Sequence, residues 1–386
     1  MAKKKGFRGG KDKGKGAYSR QAGLSRITRA NSQSRTRTAG WERYADDEAS
    51  LEAFETVDRG SNTGEGLLAK FNRLARDTAH HDGIDAEICG FDGTVVMARD
   101  DQGREWPCQV RKILKKMLRG VKTPLVVGDA IKLTMLDDND AVIVAIAERR
   151  NQLARADSHN KALEHIFAAN IDHLVIVAAM AMPDLKTGLI DRYLTIAHHN
   201  DIVPIVVLNK SDLADPTEAA ALYRGLGYTV FATSAEQAEG DISPLRDHLR
   251  GRCCVMAGQS GVGKSSLINA LYPEVAARVG VVSDAQRKGR HTTTASRSYL
   301  LADGGRLIDT PGIRECGITG MEALNVALLY PDIAKLHPQC RFNNCTHLHE
   351  PDCAVTAALE TGGIDPRRYL SYLSIVTEDL GDGNPS

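Results

Sequence analysis

No apolar run in this sequence reaches the roughly 18 residues needed to cross a bilayer, and the N-terminus has no signal-peptide core. Those absences exclude a membrane-spanning protein and lead us to expect a cytoplasmic one. Net charge is missing as well, since 49 Lys and Arg balance 49 Asp and Glu. The balance hides a separation: residues 1–40 hold 12 of the basic residues against Asp12 alone, so the remainder carries the acidic excess. Aromatic residues are scarce around that tract (Phe7, Tyr18, Trp41), which leaves salt-sensitive attraction to phosphates as its mode of contact. Its Gly, Lys, Arg and Ser content gives too little apolar surface to offset the entropy of ordering, so residues 1–81 are expected to form a basic, largely disordered extension. A disulfide framework is lacking too. Of eight cysteines, Cys89, Cys108, Cys253, Cys254 and Cys316 are scattered or sit in apolar runs, and three cluster near the C-terminus. That pattern fits buried thiols plus one metal site in a reducing compartment.

What is present, at 42% hydrophobic and 25% charged, suffices for two or three packed domains. Over 82–150, five short alternating runs (86–89, 93–98, 106–110, 126–133 and 141–146) are separated by turn residues. So many strands in so short a span predict a small closed barrel of the oligonucleotide-binding (OB) type, whose open face takes RNA or DNA. Lys112, Lys115, Lys116, Arg119 and Lys122 crowd one connection and favour such contact. From residue 171 onward the apolar segments 173–178 and 202–208 flank a helical pattern at 189–199. Buried parallel strands in βαβ units read this way, and 228–232, 252–257 and 306–309 continue the series.

The strand candidate at 252–257 runs into Gly258, Gln259, Ser260, Gly261, Val262, Gly263, Lys264, Ser265 and Ser266, and a helix-like segment follows. Strand, glycine loop and helix are the setting of a phosphate-binding loop. There the loop amides wrap a polyphosphate, Lys264 reaches the β- and γ-phosphates, and the Ser265 hydroxyl goes to Mg²⁺. Asn209, Lys210, Ser211 and Asp212 end the strand at 202–208. A carboxylate at Asp212 accepts from the N1–H and 2-amino group of guanine, which adenine cannot offer. Asn209 is expected to tie this turn to the phosphate loop, and the stem of Lys210 to cover the base. After the next strand, Ser234 and Ala235 present an amide to the guanine carbonyl. Asp309 and Gly312 bracket a DTPG turn, with Asp309 on Mg²⁺ directly or through water and the Gly312 amide at the γ-phosphate. Between the phosphate loop and this turn lies a Gly/Arg/Thr stretch, 287–294, read as a mobile switch in which Thr293, or else Thr292 or Thr294, closes over Mg²⁺. The base-reading turn precedes the phosphate loop, the reverse of ordinary small GTPases, so the sequence predicts an α/β, circularly permuted GTPase domain over 151–318.

Cys340-x4-Cys345-x-His347-x5-Cys353 supplies three thiolates and an imidazole, with His337 and His349 as alternative imidazoles. Three Cys and one His close a tetrahedral zinc site of structural type. The short helical patterns at 321–330 and 367–380 would need that ion as a staple, giving a helical zinc-binding domain over 319–386. One catalytic part is missing. Small GTPases usually place Gln after the DxxG glycine to orient the attacking water, whereas Ile313 stands here. His291 is the nearby titratable side chain able to take that task; without it the chain would be a GTP-gated RNA-binding factor with little catalysis.

Taken together, NKSD before GQSGVGKS, then GRHTTT, DTPG and the cysteine pattern, this sequence closely resembles the ribosome small-subunit-dependent GTPase A (RsgA) family from about residue 82 onward. Gln259 stands where members usually have Asn, and the basic extension goes beyond the family's common core. The resemblance implies a barrel, a permuted GTPase and a zinc domain, selects His347 as the fourth zinc ligand, and supports His291 in catalysis. It further implies a role in late maturation of the small ribosomal subunit, with GTP hydrolysis to GDP stimulated by that subunit; the small subunit and its rRNA are the expected partners, and a monomer is expected away from them.

Overall fold

The computed structural model describes residues 67–112, 114, 125–137, 139–156, 164–235, 241–273, 275, 296–309 and 323–380. The basic tract, the lysines at 115–122, the stretch 287–294 with His291 and Thr293, and residues Gly312 and Ile313 lie outside them. No helix among the described residues is long and apolar enough to cross a membrane.

Five strands close a barrel: β1 (Ile84–Asp92), β2 (Val95–Asp100), β3 (Glu105–Val110), β4 (Ala130–Met135) and β5 (Ala141–Ile146). The order around it is β1-β2-β3-β5-β4, with β3 and β5 parallel and the other pairs antiparallel. Alternation turns Ile88, Val96, Ala98, Trp106, Cys108, Ile131 and Leu133 inward, each nearly inaccessible. The run expected as a strand over 126–133 becomes one only at Ala130. Its first part is a turn in which the Asp129 carboxylate accepts from the Val126 amide at 2.8 Å. The extension expected over 1–81 ends in a folded helix, α1 (Leu67–Thr78), which buries Phe71, Leu74, Ala75 and Thr78. Thr78 Oγ1 donates to the Ile146 carbonyl and accepts from the Ile146 amide. Beside it the buried Arg149 guanidinium grips Asp129 at 2.7 and 2.8 Å and lies 3.7 Å over the Phe71 ring. The segment leaving the barrel is thereby fixed to both α1 and the barrel. A two-stranded hairpin that periodicity did not announce follows: β6 (Gln152–Ala156) and β7 (Glu164–Ala169).

The second sheet holds β8 (His173–Ala179), β9 (Val203–Asn209), β10 (Thr229–Thr233), β11 (Cys253–Ala257), β12 (Arg297–Leu300) and β13 (Arg306–Asp309). Its order is β10-β9-β8-β11-β13-β12, parallel except for β12. Helix α2 (Thr187–His199) joins β8 to β9, α3 (Thr217–Gly225) joins β9 to β10, α4 (Ser243–Leu249) leads to β11, and α5 (Lys264–Leu271) leaves it. Leu174, Ile176 and Ala178 of β8 face one apolar layer with α2 and α3; Val175, Val177 and Ala179 face another with α4 and α5. Burial on both faces explains why β8 and β9 are unbroken apolar runs. The chain winds outward from β8 in one direction and from β11 in the other, so the crevice beyond the carboxyl ends of these two strands is the switch point where such sheets bind ligands.

The C-terminal module comprises α6 (Ala323–Leu328), α7 (Pro331–Leu336), a 3₁₀ turn (His337–Gln339), a cysteine-bearing loop, α8 (Ala354–Glu360) and α9 (Pro366–Leu380). Its apolar residues do not form a separate core. Val326, Tyr330, Ile333, Tyr372, Ile375 and Val376 belong to the same buried cluster as Ile190, Leu194 and Tyr223 of α2 and α3. Arg368, 1% exposed, pins the two together: it bonds Asp191 of α2, reaches Asp332 of α7 at 3.0 Å, and stacks 4.4 Å over the Tyr330 ring.

Candidate functional site

Two turns and one loop meet at the switch point. Gly258, Gly261 and Gly263 have φ of 144°, 84° and 91°, a left-handed path open to glycine that bends the loop between β11 and α5. At Gly263 a Cβ would run into the Asn209 side-chain amide, and at Gly258 into the Val177 carbonyl of β8. The contact with Asn209 is itself a bond: Asn209 Nδ2 donates to the Val262 carbonyl at 2.9 Å. Its Oδ1 accepts from Thr233 Oγ1 at 3.1 Å and the Ala235 amide at 3.3 Å, so one buried amide laces the β9 end, the β10 end and the glycine loop. Lys210, at φ 59°, donates from Nζ to the Gly261 carbonyl at 2.8 Å and to the Met182 carbonyl. Asp212 Oδ1 accepts from Ser234 Oγ at 2.6 Å, and Asp212 is exposed.

Lys264 opens α5 and curls back over the loop, its Nζ donating to the carbonyls of Gly258 at 2.7 Å and Gln259 at 2.8 Å. Those carbonyls hold the ammonium at the mouth of the loop, while Ser265 stands exposed in the first turn of α5. The first amides of that helix and its dipole favour an anion at this end. Asp309 ends β13, the neighbour of β11, and its side chain is exposed at the same rim. A hydroxyl and a carboxylate are hard oxygen donors of the kind Mg²⁺ takes. His291, Thr293 and Gly312 lie outside the described residues.

The sequence reading missed one wall. The loop from Met180 to Lys186 follows β8, its Met180 amide donating to the Asn209 carbonyl at 2.9 Å, and Pro183 borders Gly261. Asp184 and Lys186 face Gly258 and Gln259 across a narrow crevice. No motif marks this loop; its position just after a buried parallel strand was the available signal.

In the C-terminal module, ligand atoms of Cys340, Cys345, His347 and Cys353 all lie within 4.8 Å of one another, the only such group of three or more among the described residues. His347 is fully buried at φ 61°, with Nδ1 3.3 Å from Cys353 Sγ and 3.6 Å from Cys340 Sγ. Its Nε2 lies 3.1 Å from His337 Nδ1, whose other nitrogen meets the Asn343 carbonyl at 3.0 Å. His337 is therefore a support behind the cluster, and His349 is exposed and outside it. Burial, reinforced by His337, holds the His347 imidazole below its ordinary pKa, which favours the neutral form that metals bind. Burial likewise pushes the Cys345 thiol up to about 12, a proton that a metal must displace. Sequence spacing gave no hint of what holds the loop. Glu350 accepts from the Thr346 amide and hydroxyl at 2.6 Å and from the Leu348 and His349 amides at 3.1 and 3.2 Å. Partial burial acts against its charge, yet these donors bring its pKa to about 2. Tyr369 and Tyr372 hydroxyls donate to the carbonyls of His347 and Thr346 at 2.7 and 2.5 Å.

Comparison with known proteins agrees with this geometry. A family model described as RsgA GTPase matches residues 146–319. The small ribosomal subunit biogenesis GTPase RsgA of Gemmatimonas aurantiaca is 40% identical over 295 residues, covering 75% of this chain and 95% of that one. Its counterpart in Pseudomonas fluorescens is also 40% identical, over 302 residues, 77% of this chain and 83% of the relative. The crystal structure of YjeQ from Thermotoga maritima superposes with a TM-score of 0.64 at 30% identity, over 77% of this chain and 99% of that chain. YloQ, described as a circularly permuted GTPase, gives 0.61 at 28% identity, over 80% and 99%. With the Asn209–Asp212 turn preceding the glycine loop in the chain, an OB-type barrel before both and a Cys₃His cluster after them, the chain belongs to the RsgA family of circularly permuted GTPases.

Proposed function

We propose that this GTPase acts on the small ribosomal subunit, binding it and its rRNA through the barrel and assisting its late maturation while hydrolysing GTP to GDP and phosphate. The observation that carries the nucleotide part is the lacing of the base-side turn to the glycine loop by Asn209–Val262 and Lys210–Gly261. In this reading Asp212, Ser234 and Ala235 read guanine, Asn209 and Lys210 hold the base side, and residues 258–266 cradle the phosphates. Ser265, Asp309 and Thr293 would hold Mg²⁺, which would supply positive charge to neutralise the phosphates. The Gly312 amide senses the γ-phosphate, and His291 orients the attacking water in place of the glutamine that Ile313 replaces. The partner implies a cytoplasmic setting, and the chain is a monomer away from it. The domains then run 1–81, 82–150, 151–318 and 319–386, with α1 as the folded end of the first.

The test is multiple-turnover phosphate release with and without purified small subunits. Turnover should rise when subunits are added, and His291→Ala should lower the stimulated rate roughly 10²-fold or more, as loss of a proton-handling or water-placing group does, with GTP affinity nearly unchanged. Parent turnover indifferent to subunits would leave a GTP-gated binder instead, and equal losses of rate and affinity would remove His291 from catalysis.

The Cys₃His cluster is assigned to one structural zinc ion, because soft thiolates and an imidazole fill four positions and leave none for water. Elemental analysis should find one zinc per chain. Cys345→Ser should lose the ion and reduce unfolding stability by on the order of 5 kcal/mol, less than isolated zinc fingers lose, because the module also packs on α2. Full stability without zinc would contradict the assignment.

A further inference from the structure

The outer edge of the nucleotide-binding sheet does not face water along its whole length; the hairpin formed by β12 and β13 meets the barrel. Two barrel carboxylates hold two hairpin guanidiniums there. Glu105 Oε2 accepts from Arg297 Nη2 at 3.0 Å, and Glu87 pairs with Arg306. The seam is cross-braced: Arg99 Nη2 donates to Glu105 Oε1 and to the Ser298 carbonyl, both at 2.8 Å, and Ser298 Oγ donates to Glu87 Oε1 at 3.3 Å. Leu300 of β12 stays 40% exposed. This contact is held by charge, and charge can be redistributed.

The register shows by what. Arg297 is the cross-strand partner of Asp309, the carboxylate at the nucleotide rim. Side chains of directly opposed residues in an antiparallel pair lie on one face with Cβ atoms about 5 Å apart, and opposite charges there attract. One guanidinium is thus paired with Glu105 on the barrel and set by register opposite Asp309 on the nucleotide side. A dication arriving with GTP neutralises Asp309 and repels Arg297, which shifts the guanidinium's share of the field toward Glu105. Loss of that ion with the phosphate reverses the shift.

We propose that Arg297 is a positioning residue that couples the nucleotide site to the barrel, the Arg297–Glu105 tie being tighter when Mg²⁺ and GTP are bound. The inference rests on the GTPase reading above and names its regulation. Coupling of two sites is reciprocal, so any ligand of the barrel that tightens the seam favours the GTP-loaded state by the same factor.

Hydrogen exchange tests it in the full chain without ribosomes. Amides of β3, which carries Glu105, are followed with GDP and with Mg²⁺ plus a slowly hydrolysed GTP analogue. In the parent they should exchange about threefold more slowly with the GTP analogue, the scale of one half-exposed ion pair. Arg297→Gln should abolish that difference and Arg297→Lys, which keeps the charge, should restore part of it, while affinity for a fluorescent GDP stays within about twofold in both. The same titration separates the two ideas. No nucleotide binding by the parent would count against the GTPase reading, whereas tight binding with identical β3 exchange in both states overturns the coupling alone. A difference that persists in Arg297→Gln, or vanishes equally in Arg297→Lys, also overturns it.

Discussion

Gly263→Ala is expected to weaken guanine-nucleotide binding by about a hundredfold or more while the fold is kept. Gly263 has φ 91°, where a side chain costs about 1–3 kcal/mol. The added methyl also meets Asn209 Nδ2, and Asn209 is only 1% exposed. Moving that amide breaks its bond to the Val262 carbonyl and disturbs those from Thr233 and Ala235, and each buried group left unpaired costs about 1–3 kcal/mol. The loop escapes by relaxing away from β9, and nucleotide binding must then restore the cradle against that relaxation. A total of about 3–5 kcal/mol corresponds to roughly 10²–10⁴ in Kd, since about 1.4 kcal/mol is tenfold. Titration with a fluorescent GDP beside a far-UV melt checks it; affinity within threefold of the parent would show that the loop is not held by Asn209.

Arg368→Ala should be among the most destabilising single changes in the C-terminal module, costing about 3–5 kcal/mol in urea unfolding. Arg368 is 1% exposed and Asp191 is 0% exposed, so the alanine variant leaves a carboxylate buried between α2 and α9 without its counter-charge. Burial already pushes the Asp191 carboxyl above the ordinary aspartate range, with Arg368 opposing. Removing the opposition raises it further, so in the variant the folded state binds the proton more tightly than the unfolded one. A group shifted in that direction contributes stability below its unfolded pKa and loses it as pH rises. The deficit against the parent should therefore be smallest near pH 4 and grow toward pH 7. Asp191→Asn in the same chain should recover much of the loss at neutral pH. A deficit that does not change with pH would mean that lost packing on Tyr330, not the stranded charge, is responsible.

How much of this could be seen beforehand depended on whether a feature is written in consecutive residues. The glycine loop, the NKSD turn and the cysteine spacing each fit within one strand-end or one loop, so chain order alone revealed the permutation and the metal cluster. The barrel followed from alternation, although Asp129 and Gly128 made a turn where the apolar pattern of 126–133 suggested strand. Features that join distant segments left no such trace. Helix α1 is committed by Phe71 meeting Arg149, the module by Arg368 meeting Asp191, and the cysteine-bearing loop by Tyr369 and Tyr372 reaching back to His347 and Thr346. Strand β12 is four residues long and polar at its start, and only its pairing with β13 and its seam with the barrel make it a strand. The Met180–Lys186 wall carries no motif because it contributes backbone carbonyls and amides, which any residue supplies.

The undivided apolar layer beneath α2 and α9 changes what removing the C-terminal module would mean. Tyr330, Ile333, Tyr372 and Ile375 form the outer cover of helices α2 and α3. A protein cut before Ala323 would leave the face of α2 and α3 beneath that cover as a wet, sticky patch of the sort that drives self-association. Clumping of such a fragment would report on the exposed patch and say nothing about the ion. The two are better separated in the intact chain, where each can be altered with the other left in place.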